Sequence, residues 1–145
     1  MASALRTFLA LVAGFVTATL GVLALSSVVA LIFFDGEAGT DPGAAYIAFN
    51  LAYSFGFAVA GGWVAARLAE ERPLLHGFLL AGVVISLSIP SAVEGPRQPG
   101  EPLWYPWVLM VIVGVGAPVG AWIRARREAR VPGRDAGVDG VEHGG

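Results

Sequence analysis

Between Thr7 and Phe34 the chain runs for 28 residues without a charged side chain. No other feature limits the fold so severely. A bilayer's hydrocarbon core is about 30 Å thick, and a helix rising about 1.5 Å per residue crosses it in roughly 20 residues. Three further runs meet that requirement, at 44–66, 74–93 and 104–123. Inside hydrocarbon a backbone must satisfy its own hydrogen bonds, so these runs predict helices. The reading is an all-α bundle of four transmembrane helices within residues 1–130. Residues 131–145 hold five glycines among mixed charges and are expected to be a disordered cytoplasmic tail. The first run, taken alone, could be a signal peptide. Its apolar stretch far exceeds the usual length of about 7–15 residues, and three more spans follow it, so an uncleaved helix is expected.

Composition agrees and removes several chemistries. The chain is 56% apolar and 14% charged, against roughly 45–50% and about 25% in soluble domains. It has no cysteine, which excludes disulfides, thiolate metal sites and thiol nucleophiles. All nine basic residues are arginine, so Schiff-base chemistry and a P-loop lysine are excluded as well. Arginine without lysine is the usage expected of a GC-rich prokaryotic genome. The net charge of −2 gives no reason to expect nucleic acid as a partner.

The charges are sorted by segment. Arg6, Arg67, Arg72, Arg124, Arg126, Arg127 and Arg130 flank the start of the first run, the connection 67–73 and the end of the fourth run. The other two connections, 35–43 and 94–103, carry five acids and one base, Arg97. Arginine concentrates in cytoplasmic segments. Both termini are therefore expected in the cytoplasm of a cell membrane, with Arg67, Arg72, Arg124, Arg126 and Arg127 as topology anchors. Trp104, Tyr105 and Trp107 read as an outer aromatic belt, and Trp63 and Trp122 as an inner one.

A shift of 59 positions matches residues 20–67 to 79–126 with nine identities. Among them Tyr46 meets Tyr105, Ala58 meets Ala117, Gly61 meets Gly120, Trp63 meets Trp122 and Arg67 meets Arg126. The match reads as two tandem parallel helical hairpins. Convergence of inner helix ends on Trp followed by Arg gives the same pattern. Small residues also recur every four positions. Ala58 and Gly62, and Gly116 and Gly120, are read as helix-packing residues, alongside Ala10, Gly14 and Ala18 on the first run and Gly82 and Ser86 on the third. Pro118 predicts a kink in the fourth helix, and Pro90 an end or bend in the third.

No Asp, Glu, Arg or Lys falls in the middle of a run, where a charge would mark an ion path or relay. Asn50 and Ser54 share a helical face. With Ser86 they form a candidate polar cavity, or they join helices by hydrogen bonds. His76 lies one turn into the third run, as a pH-sensitive group, a partner contact or a residue bonded to headgroups or a neighbouring helix. Asp35, Glu37 and Asp41 have the oxygen chemistry of a divalent-cation loop, although acidic loops are usually only hydrated. The run 124–130 suits contact with anionic lipid headgroups. No HExxH, GxSxG, Walker or GxGxxG pattern and no paired carboxylates are present, so no catalytic, cofactor or metal residue is assigned. The expectation is a non-enzymatic scaffold or accessory subunit in the lipid bilayer, acting through helix packing on itself as a homo-oligomer or on another membrane protein. The alternative is a small transporter or channel with a polar cavity near the second and fourth helices.

The segment "GGWVAARLAEERPLLHG" (61–77) resembles a hairpin of small four-span integral membrane proteins from prokaryotes. In those a Gly-Gly-aromatic-x-Ala-Ala-Arg helix end precedes a short charged turn and a helix opening near His. The resemblance implies an integral membrane protein and carries over no activity or catalytic residue.

Overall fold

The computed structural model of the chain describes residues 2–33, 43–69, 72–94 and 101–130. They form four helices, α1 (Ala2–Phe33), α2 (Gly43–Ala69), α3 (Pro73–Glu94) and α4 (Tyr105–Ala129). Each is long and apolar enough to cross a membrane. The chain is thus an all-α four-helix bundle. The tail 131–145 and the acidic trio Asp35, Glu37 and Asp41 lie outside the described residues.

The helices outrun the apolar segments that predict them. α2 continues past Ala66 to Ala69, and α4 continues past Ile123 to Ala129. A charge ends an apolar run but does not end a helix, because Arg, Glu and Ala are all good helix formers. In α4 the continuation is braced by an Arg124–Glu128 ion pair at 2.5 Å. α3 also runs through Pro90 to Glu94. Pro90 removes only the bond to the Ser86 carbonyl, on an exposed part of the helix.

α1 and α2 are antiparallel: Gly14 lies against Gly61, Gly21 against Phe57, and Ser26 against Tyr53. α3 and α4 are antiparallel through Gly77 with Ala121 and Gly114 with Ile85. α2 and α4 run parallel as the central pair, with Gly62 on Ala117 and Gly116 on Ala58. The bundle is therefore two helical hairpins docked through their second helices. No Cα of α1 comes within 8 Å of α4. The ends of the bundle differ. Arg6, Arg67, Arg72, Arg124 and Arg126 cluster at one, and Tyr46 and Tyr105 lie near the other.

The interior is built from small groups. Of the buried apolar residues most are alanine, and the largest side chains that are fully buried are Leu80 and Ser54. Leu, Phe, Val and Ile crowd the outside instead: Phe8, Leu20, Leu31, Phe78 and Val93 are all at least 60% exposed. A water-soluble protein puts these side chains inside. In lipid, burying them gains nothing, and close backbone contact takes over. The seams show it. A Cβ on Gly14 would lie 2.6 Å from the Gly61 carbonyl oxygen, and one on Gly61 would lie 2.5 Å from that of Gly14. A Cβ on Gly62 would fall on the Ala117 carbonyl, and one on Gly120 on the Val59 carbonyl. Gly77 fits against Ala117, Pro118 and Ala121 in the same way.

Candidate functional site

The buried polar groups gather on α2. Its side of the central seam is cut back to Ala58, Gly62 and Ala66, so α4 approaches closely and brings its first turn beside Asn50. There the Asn50 amide donates to the Tyr53 hydroxyl. Its carbonyl oxygen accepts from Tyr105 of α4 at 2.5 Å and from Ser54 at 3.5 Å. Tyr46 stands one turn earlier on α2, near the Asn50 side chain. The Tyr53 hydroxyl also shares a hydrogen bond with the Ser26 hydroxyl of α1, at 2.7 Å. One asparagine thus gathers Tyr53, Ser54 and Tyr105 and, through Tyr53 and Ser26, ties α1, α2 and α4 together. Among the described residues, no buried side-chain nitrogen or oxygen lacks a partner.

Beside this cluster lies a cavity of about 340 Å³. Its walls are Val22 of α1, Ser54 of α2, Ser88, Ser91 and Ala92 of α3, and Tyr105, Pro106, Leu109, Met110 and Val113 of α4, with Glu101 just before α4. A second cavity of about 190 Å³ shares Val22, Ser54 and Val113 with it and continues along Phe15, Ala18, Ala58 and Val84. Together they occupy the space left where α1 and α4 stay apart. The result is a lateral groove, polar at the tyrosine end and apolar along the rest.

The three residues expected to share a polar cavity therefore separate. Ser54 lines the groove, and Asn50 stands behind it in the hydrogen-bond cluster. Ser86 is exposed on the far face of α3 and donates to the Gly82 carbonyl at 2.8 Å. Ser88 and Ser91 are the serines that α3 brings to the groove. Helical phase explains this, since Ser86 and Ser88 lie about 160° apart around the axis, measured the shorter way. Tyr105 also departs from its expected place in the aromatic belt. It is buried and bonded to Asn50, whereas Trp104 and Trp107 remain about half exposed. Pro118 sits against Gly77, well along α4 from Asn50.

The helix-packing candidates Ala58, Gly62, Gly116 and Gly120 all lie in the α2–α4 seam, inside one chain. Gly82 has nothing within 4 Å of where a Cβ would stand.

The arginine end is built from the anchors. The Arg67 guanidinium stacks on Trp63 at 5.1 Å, and that of Arg126 on Trp122 at 3.7 Å, the same pair at positions related by the 59-residue shift. Arg124 pairs with Glu128, Arg127 is exposed, and Arg6 donates to the Leu68 carbonyl in the last turn of α2. Arg72 has a positive φ of 48°, an uncommon backbone for a residue with a side chain. Its carbonyl accepts from Leu75 and pairs with the His76 ring at 3.2 Å. A carbonyl can only accept, so His76 Nδ1 carries the proton there and Nε2 faces the Thr7 hydroxyl of α1 at 3.3 Å. Among the described residues no group of three His, Asp or Glu side chains is placed to hold a metal ion.

Four apolar helices with small groups inside and large ones outside define a multi-pass membrane protein. No family model, curated protein or solved structure compared with the chain matches it.

Proposed function

We propose that the chain is a non-enzymatic component of a prokaryotic cell membrane, a scaffold or accessory subunit that works through helix packing. Both termini lie in the cytoplasm on this reading, since the arginine-rich end is the one that positive-inside sorting retains there. The observation that carries the proposal is how the small residues are used. The Gly and Ala stripes of α1, α2 and α4 are filled by neighbours within the chain, while the Gly82–Ser86 face of α3 is uncovered. Gly82 and Ser86 leave a notch on that face between Phe78 and Ile89, into which the helix of another subunit can pack closely in lipid. The polar cluster supports the non-enzymatic part. Asn50, Tyr53 and Tyr105 already hydrogen-bond one another, so the cluster serves as structure.

A photo-reactive amino acid at Leu79, beside Gly82 on that face, tests the proposal in native membranes. A single discrete protein adduct is expected from Leu79 and none from Leu20, which faces outward on α1. Lipid adducts alone from both positions would count against a packing role. Transport is the second reading, favoured by the cavity against Ser54 and Tyr105. It requires a path beyond the Gly62–Ala117 contact, where the two central backbones touch.

A further inference from the structure

The groove between α1 and the α3–α4 hairpin has the chemistry of a binding site, and it lies on the opposite side of α3 from Gly82 and Ser86. Its deeper part is walled mostly by apolar groups, among them Phe15, Ala18, Val84 and Val113, with Thr19 and Ser54 as the polar side chains. The part at the tyrosine end adds the hydroxyls of Ser88, Ser91 and Tyr105 and the carboxylate of Glu101. A lining that is apolar for most of its length and polar at one end matches a molecule divided in the same way. The sign of charge narrows the head group. Every arginine of the described residues lies at the opposite end of the bundle. Glu94 and Glu101, the acids described at the tyrosine end, face no described arginine there. One aromatic ring, that of Tyr105, lines the groove at this end, and Trp104 meets it edge to face from outside the lining at 6.3 Å between centroids. A carboxylate beside an aromatic ring is a setting in which a quaternary or primary ammonium is held. An anionic head would meet repulsion there instead.

We propose that this groove binds a single-chain amphiphile with a cationic head, the chain lying along Val84 and Val113 and the ammonium beside Glu101 and Tyr105. The site opens sideways between α1 and α4, so such a molecule reaches it from within the bilayer. The scaffold role and this site use different faces of α3 and stand or fall separately.

The test uses the full chain in nanodiscs of neutral phosphatidylcholine. Radiolabelled dodecyltrimethylammonium is the probe, with dodecyl phosphate and dodecylglycerol as competitors. Saturable binding of one probe per chain is expected, with the cation at least about tenfold tighter than the phosphate. Glu101→Gln should reduce that preference several-fold while leaving uptake of the neutral chain unchanged. Val113→Phe should fill the groove and abolish binding of all three, and circular dichroism and gel filtration report whether the variant keeps its fold. Val84→Phe is the second filling variant if Val113→Phe does not fold. Saturable binding that ignores head-group charge would overturn the cation assignment and leave a neutral-lipid groove. Binding that survives both filling variants would overturn the site. Partition into empty nanodiscs to the same extent would overturn both.

Discussion

Asn50 makes the residue-scale case. Each hydrogen bond between membrane helices is worth only about 0.6 kcal/mol on average, because the unfolded chain in lipid also finds partners. Tyr105→Phe removes one such bond and should cost about that much. Asn50→Leu withdraws the partner of Tyr53, Ser54 and Tyr105 together, so about 2 kcal/mol is expected. Steric trapping in bicelles measures both, and equal losses would show that the cluster is not organised around the asparagine. Part of this cluster is legible in the sequence. Asn50 and Ser54 stand four apart in an otherwise apolar run, which marks a polar face. Their partners are not legible. Tyr105 sits in the row Trp104-Tyr105-Pro106-Trp107, where any of the aromatics could face the headgroups. Only the rotation of α4 about its axis selects the tyrosine, and tertiary packing sets that rotation. Ser26 and Thr7 are hidden for the same reason, since a hydroxyl in a membrane helix can always bond its own backbone, as Thr17 and Ser27 do.

At the scale of the element, the four helices are read almost directly from the length of the apolar runs. The ends are not, because hydropathy reports where lipid stops and the helix goes on. The seam between α2 and α4 is the most demanding contact in the bundle. A side chain at Gly120 would strike the Val59 carbonyl and the Trp63 amide, which belong to backbone and cannot turn aside. Gly120→Val should therefore cost about 3 kcal/mol and reduce the folded yield in detergent. Gly82→Ala makes the contrast. It meets nothing within 4 Å, and alanine is the better helix former, so a gain of roughly 0.5–1 kcal/mol is expected. Comparable losses from the two substitutions would remove the distinction between seam and free face. The sequence marks both glycines as members of small-residue stripes. It does not say which stripe is covered, because spacing fixes a face of a helix and not the neighbour it meets.

For the molecule as a whole, the even number of spans brings Ala2 and Arg130 to the same end, beside the arginines. Reporter fusions at the two termini should both give the cytoplasmic signal, and signals from opposite sides would contradict the four-pass fold. One feature recurs at positions 59 apart: the Trp63–Arg67 and Trp122–Arg126 stacks close the same end of the bundle. The hairpins differ in that α1 stands away from α4. The order of the helices in the bundle has a further consequence. The two at its centre are the second and the last to be translated. Until the ribosome has released the fourth span, the glycine face of the second has only membrane lipid to meet. A nascent chain halted before Trp104 would therefore present Gly62 and Asn50 to the bilayer and to quality-control proteases.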